Sequence, residues 1–285
     1  MAILDDSSSA HFHVELAGGA YDREFLSVVR FELVEQLSTP FCVKVDLACR
    51  DAGLDFDRIV GAPARFHMHG PQGDRDLFGI ATRLRQSDHT RHHAFYSVEI
   101  QPALWRLTQR QTSRIFQDKD LEQIVTRVLE GAGLVAGRDF RFALQAKHPA
   151  RECCVQYQES DFAFVSRLLE EEGVFYFFEQ QERRSVLVVA DSAGVHTDIE
   201  GDRAVRFAPR TRMHAHEAGR ELEQVTELAL EQSVRPGAYT ATDFRFEQPT
   251  LDLLAGARTE RDADLEIYEY PSEVVEYRDL SVREQ

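Results

Sequence analysis

Between Phe41 and Cys49, the residues Phe41, Val43, Val45, Leu47 and Cys49 alternate with polar or small neighbours. A period of two puts one set of side chains on each face of an extended strand, so the stretch reads as half-buried β structure. Similar segments fill the first hundred residues: FHVEL, VVRFELVE, ARFHMH, DLFGIATRLRQ and AFYSVEIQP, separated by Gly, Pro, Asp and Ser. Many short strands at such spacing predict a barrel or a sandwich.

The period changes near the middle of the chain. Leu121, Ile124, Val125, Val128 and Leu129 recur at helical spacing, with Asp118 or Asp120 available as cap and Gly131 or Gly133 as stop. A second helix is expected from Ser160 or Glu159, through Phe162, Val165, Leu168 and Leu169, to Gly173. Strands then resume in VFYFFE and SVLVVA, joined by a polar QQERR loop. VTELALEQS, TDFRFEQP and DLEIYEYP restore strand-like alternation further on, and residues 191–221 are the least organised.

Three glutamates, Glu170 to Glu172, close the second helix. Carboxylates there oppose the helix dipole, typically at a cost of about 0.3–1 kcal/mol each. The apolar stripe at 165 and 168 continues to 172, so Glu172 points toward the packed face. Glu170 and Glu171 lie within reach of Arg167. Two readings stay open: a solvated helix end screened by Arg167, or a Glu172 bridge to an arginine of a neighbouring strand or subunit.

Charge and termini narrow the function classes. Lys and Arg number 33 against 49 Asp and Glu, a net charge of −16. That balance argues against nucleic acid and anionic membranes as partners. No apolar run approaches the roughly 20 residues of a transmembrane helix. The N-terminus lacks a cleavable signal pattern, so synthesis in the cytoplasm and export by a signal-independent route are expected. Cys42, Cys49, Cys153 and Cys154 read as reduced, core-lining thiols.

No catalytic constellation emerges. His67 and His69, and likewise His214 and His216, would share a strand face, but two histidines fall short of a zinc site. His89, His92 and His93 sit in a polar turn. HAHEAGREL lacks the second histidine of HExxH, and GxSxG, Walker-A and GxGxxG are absent. Trp105 reads as an apolar anchor rather than a ligand platform. No catalytic, cofactor-binding or metal residue is assigned.

The segment from Arg151 to Glu179 resembles the signature of VgrG proteins, the spike subunits of bacterial type VI secretion. It carries Arg151, Val155, Gln156, Tyr157, Glu159, Ser160, Asp161, Phe164, Arg167, Leu168, Glu170, Gly173 and Tyr176 in the family's order. VVRFELVEQLSTPF, the Gly-x-Pro and Phe-x-Gly-Ile strands, PALWRL, SRIFQ, RPG, DFRF and YEYP are also similar, covering about Phe12 to Pro271. The resemblance implies a mainly β fold with two tube-protein-like β-barrel domains of the phage baseplate-hub type and short inserted helices. Residues 1–110 would form the first hub barrel and 111–190 a helix-containing segment and second barrel. Residues 191–285 would be a return segment completing both. Nothing after Pro271 resembles the OB-like domain or β-helix needle, which are expected to be absent from this chain.

The same resemblance implies a noncatalytic homotrimer of pseudo-sixfold symmetry. It would cap the Hcp tube, meet baseplate components, and serve an effector or PAAR-type tip through a needle not present here, before being secreted with the tube. Gln156, Tyr157, Glu159, Asp161, Arg167, Glu170, Glu172 and Gly173 become structural or interface candidates. The alternatives are a hub of a phage tail or related contractile particle, a cell-wall glycosidase, and a metal-dependent carrier module.

Overall fold

The computed structural model describes residues 12–50, 53–70, 73–90, 93–181, 183–196, 206–207, 224–225, 227–246 and 248–271. The chain forms two compact units, Met1–Val225 and Thr226–Gln285. His92, His214, His216 and most of residues 197–223 lie outside the described residues, as does the His89 side chain.

In the first unit, six strands form one antiparallel sheet: β1 (Phe12–Glu15), β2 (Leu26–Gln36), β3 (Thr39–Cys49), β4 (Pro63–Gly70), β5 (Gly73–His89) and β6 (Ala94–Gln101). Their order is β1-β4-β5-β6-β3-β2. The predicted alternation sets its inner face: Val43 pairs with Ile100, Val45 with Val98 and Leu47 with Tyr96, all buried. The sheet curls until its two edges approach, with the Phe12 and Phe31 rings 4.7 Å apart and Phe31 also against Phe66 at 4.9 Å. Mainly β structure with a curled, half-barrel sheet is therefore what the chain builds. A short helix, α1 (Phe56–Ile59), sits between β3 and β4.

β5 spans 17 residues because it serves two partners. Its first half pairs with β4 and its second with β6. Where it changes partner, Gly79 comes so close to β6 that a Cβ would lie 2.3 Å from the Gln101 carbonyl oxygen. Glycine is required there by backbone approach, not by φ.

A second apolar cluster follows. A 3-10 turn, Ala103–Gln109, buries Leu104 and Leu107, with Trp105 half-buried on it. Strands β7 (Gln111–Lys119) and β9 (Arg151–Ser160) form a two-stranded antiparallel ribbon. Helix α2 (Leu121–Gly131) carries the predicted five-residue stripe, capped by Asp120 in a reciprocal box with Gln123. Of the two proposed glycine stops, Gly133 takes the positive φ. β8 (Phe140–Ala143), β10 (Phe175–Gln181) and β11 (Arg184–Ala190) make a three-stranded sheet in the order β10-β11-β8. Residues 111–190 are thus a ribbon and a small sheet around α2 and α3 (Asp161–Glu171).

The two clusters meet at β10. Phe178 packs against both and stands edge-on to Phe41 at 5.4 Å. The amide of Ser38, at the tip of the β2–β3 hairpin, donates to the Tyr176 carbonyl at 2.8 Å. The amide of Phe78 donates to Gln180 Oε1 at 3.0 Å. Two short strands, β12 (Arg206–Phe207) and β13 (Gln224–Val225), pair in parallel.

The second unit holds β14 (Ala238–Ala241), β15 (Ala255–Arg258) and β16 (Glu266–Glu269), with β14 central. Only Ala241 and Leu253 form its buried cluster among the described residues. Three expectations change here. Among its described residues TDFRFEQP is irregular, VTELALEQS is strand only at Val225, and strands β14 and β15 were not foreseen. Alternation alone cannot supply a partner, and an isolated segment without one stays irregular. The thiols are also not uniformly core-lining: Cys49 and Cys154 are buried, whereas Cys153 is exposed on the other face of β9.

The Gly79→Ala substitution should destabilise the first unit by about 1–3 kcal/mol, because backbone atoms of β6 must shift to admit the methyl group. Thermal melting followed by circular dichroism should show a drop of several degrees. An unchanged midpoint would mean that β5 does not approach Gln101 as described.

Candidate functional site

The signature residues gather on β9, α3 and the turn that follows, in two polar networks. The first is buried. Ser160 caps α3 by accepting from the Ala163 amide at 3.0 Å. Asp161, the first helical residue, is driven inward, and among the described residues only it and Gln156 are buried polar side chains. A buried carboxylate is tolerated only with charge and hydrogen bonds to meet it.

Here β7 supplies the charge. Arg114 binds Asp161 Oδ1 through Nη2 and donates from Nε to Gln156 Oε1 at 2.9 Å. Gln156 donates from Nε2 to Asp161 Oδ1 at 2.9 Å and to the Glu159 carbonyl at 3.2 Å. Arg110 Nε lies 3.3 Å from Asp161 Oδ2, an ion pair by distance without the alignment of a hydrogen bond. The amide of Asp161 donates to the Arg110 carbonyl at 2.8 Å, closing the ribbon onto the helix.

The second network sits at the other end of α3. Arg151, at the start of β9, donates to Glu171 Oε2 at 2.9 Å and to Glu172 Oε1 at 2.7 Å. Glu172 Oε2 is 3.1 Å from His148 Nδ1, and His148 Nε2 is 3.4 Å from Asp191 Oδ2. Asp191 also accepts from the amides of Gln145 and Ala146. Arg167 reaches Glu171 at 3.0 Å, Glu159 at 2.8 Å and the Val155 carbonyl at 3.3 Å.

The glutamates therefore play three different parts. Glu172 meets a strand arginine within its own chain. Glu171 bridges two arginines. Glu170 is exposed and has no side-chain partner among the described residues. Gly173 at φ +67° ends the helix, and the amide of Val174 donates to the Leu169 carbonyl at 2.8 Å. Phe164, passed over in the expected stripe, is fully buried and stacks on Phe116 at 5.7 Å, while Phe162 is only half-buried. Tyr157 lies on the outer face of the ribbon, apart from both networks.

Burial works to raise the Glu172 pKa, but hydrogen bonds and charge from Arg151 and His148 outweigh it and hold it below 4.5. Asp191 behaves alike: burial is overcome by the Gln145 and Ala146 amides and by His148, and its pKa falls below 3.8. Burial would lower the Arg151 pKa, yet Glu172 and Glu171 raise it. Arg110, Arg114, Glu171, His148 and Asp191 were not among the expected site residues. Arg114 lay within the SRIFQ match, whereas His148 and Asp191 carry no local signal because they meet only through tertiary folding.

Elsewhere, His67 Nδ1 is 2.8 Å from Asp76 Oδ1, and His69 pairs with Asp74. Among the described residues no group of three His, Cys, Asp or Glu side chains is placed to hold a metal ion. A cleft of about 380 Å³ lies between the two clusters of the first unit, lined by Arg65, Phe78, Gly79, Leu104, Phe178 and Arg184 among others. No helix among the described residues is long and apolar enough to cross a membrane.

Residues 34–285 match the phage tail baseplate hub (GPD) family. The chain is 32% identical over 260 residues to VgrG1c of Pseudomonas aeruginosa, a type VI secretion system spike protein, covering 90% of this chain and 35% of that one. It is 29% identical over 251 residues to the spike protein VgrG3 of Vibrio cholerae, covering 84% and 24%. The chain thus spans well under half of these curated relatives. An Escherichia coli component of the type VI secretion system, described as similar to T4 bacteriophage tail proteins gp27 and gp5, superposes with a TM-score of 0.55. That match has 26% identity and covers 66% of this chain and 53% of that one. A Neisseria meningitidis tail protein matches in fold alone, with a TM-score of 0.56 at 9% identity over 91% and 71% of the two chains.

Two predictions follow the geometry. Asp161→Ala should cost about 3–5 kcal/mol by stranding Arg114 and Gln156. Glu172→Gln should cost about 1–3 kcal/mol, and Glu170→Gln less than about 0.5 kcal/mol. Equal melting shifts for the two glutamate variants would refute the division of roles. Acid dependence gives the second test. The folded protein holds protons on Glu172 and Asp191 more weakly than the unfolded chain does, so their contribution is complete above about pH 4.5 and is lost as pH falls further. Urea titrations from pH 6 to pH 3 should show a shallower acid loss in Glu172→Gln than in the unsubstituted protein.

Proposed function

Because the chain belongs to the phage tail baseplate hub family, we propose that it is the hub portion of a type VI secretion spike. The observation that carries this reading is the 32% identity with VgrG spike proteins across 90% of the chain. Three copies form a ring of pseudo-sixfold symmetry that caps the Hcp tube, contacts the baseplate, and is expelled with the tube to deliver effectors. Its export needs no cleavable signal, since expulsion moves the whole particle. A needle with a PAAR-type tip or effector would attach to such a hub.

In this reading residues 1–110 and 111–190 correspond to the two hub barrels and 191–285 to their return segment. Gln156, Glu159, Asp161, Arg167, Glu172 and Gly173 serve the scaffold. Tyr157 and Glu170, both facing solvent, are left for interfaces. The work is mechanical, not catalytic. In support, the carboxylates that the fold withdraws from water, Asp161, Glu172 and Asp191, are each engaged by arginine, histidine or backbone amides. A phage-tail hub would use the same architecture with another tube, and the spike similarity favours secretion.

The test is absolute mass by light scattering over a range of concentrations, with negative-stain averages of the same peak. A trimer with six lobes that binds Hcp tube ends is the expected result. A species that stays monomeric and ignores Hcp would overturn the ring.

A further inference from the structure

Residues 227–236 form neither helix nor strand, and no hydrogen bond joins them to any described residue. Yet their sequence keeps a strand period. Leu228, Leu230, Gln232 and Val234 fall on one face, Glu227, Ala229, Glu231 and Ser233 on the other. The apolar face is open to solvent: Leu228 is 83% exposed, Leu230 99% and Val234 73%. Scattered exposed leucines are ordinary, but a mostly apolar row at period two, along a backbone unpaired among the described residues, is a strand without its sheet.

A matching acceptor exists on the ribbon. Among the described residues β7 and β9 pair only with each other, so β7 keeps an unpaired edge. The outer face of the ribbon is apolar and exposed as well. Ile115, 67% exposed, pairs directly with Val155, and Tyr157, 70% exposed, lies two residues further on the same face.

We propose that residues 227–234 of one protomer add as a strand to the free edge of β7 in a second copy of this chain, a contact that rests on the ring assembly described above. The side-chain period makes the case for this partner. If Leu228 and Leu230 cover the Ile115 face, Glu227 and Glu231 necessarily fall on the opposite face, which is the face of Arg114. Charge agrees with that register. β7 and the residue before it carry Arg110, Arg114 and Lys119 against Asp118, whereas residues 227–234 carry Glu227 and Glu231 and no cation, Arg235 following them. Donor and acceptor are different surfaces of one sequence, so the contact is heterologous and propagates from copy to copy until a ring closes.

The experiment uses the full chain with Cys153→Ser, which removes the exposed native thiol. Ile115→Cys is mixed in turn with Leu228→Cys, Leu230→Cys and Val234→Cys under mild oxidation. A disulfide-linked dimer is expected on non-reducing gels for at least one mixture, and none for each variant alone or for Leu230→Cys mixed with Arg30→Cys, a control on β2. In addition, Leu228→Glu with Leu230→Glu should lower the mass in light scattering from trimer to monomer without changing the circular dichroism spectrum. A trimer that forms no crosslink in any mixture would leave the hub reading standing and overturn the donated strand. A monomer at every concentration would overturn both.

Discussion

A carboxylate sealed in the core at the start of α3 organises the centre of this protein. Asp161 is tolerated there only while Arg114 and Gln156 face it, and those two residues sit on different strands of one ribbon. The requirement therefore fixes the ribbon's register, its contact with the helix, and the helix start at Ser160 together. Replacing such a network with apolar groups can be neutral for stability. What an apolar replacement would not supply is a directional demand that only one pairing of β7 with β9 satisfies.

From that anchor the remaining geometry follows along α3. Its apolar stripe packs Phe164, Val165, Leu168 and Leu169 into the second cluster. Its far end is tied by Arg151, Glu171 and Glu172 back to the beginning of β9, so one strand is clamped at both ends to the helix that follows it. Gly173 then releases the chain into β10, where Phe178 joins the second cluster to the curled six-stranded sheet. Cross-links of this kind hold each strand by more than its neighbours in the sheet.

Much of the fold was legible locally. The strands of the first hundred residues, both long helices and their caps follow from period and capping chemistry, because neighbours in sequence decide them. The glutamate run was legible in part. The helical period showed that Glu172 turns inward and wants a cation, but not that the cation is Arg151 or that His148 and Asp191 lie beyond it. Those partners are 21, 24 and 19 residues away in sequence and carry no shared pattern. The alternations at 225–233 and 242–249 were read as strands because alternation reports a face, not the presence of a neighbour. A strand becomes one only when another backbone takes its hydrogen bonds.

The sequence alone determined which segments could be extended or helical, where helices begin and stop, and, through its ordered signature, the family. Those are consequences of side-chain period and backbone preference within a few residues. Tertiary structure alone decided which carboxylate is buried, which arginine meets it, why Gly79 admits no side chain, and which strand edges are left open. Each of these depends on distances between segments remote along the chain, and such distances exist only once the sheet has curled and the two clusters have closed.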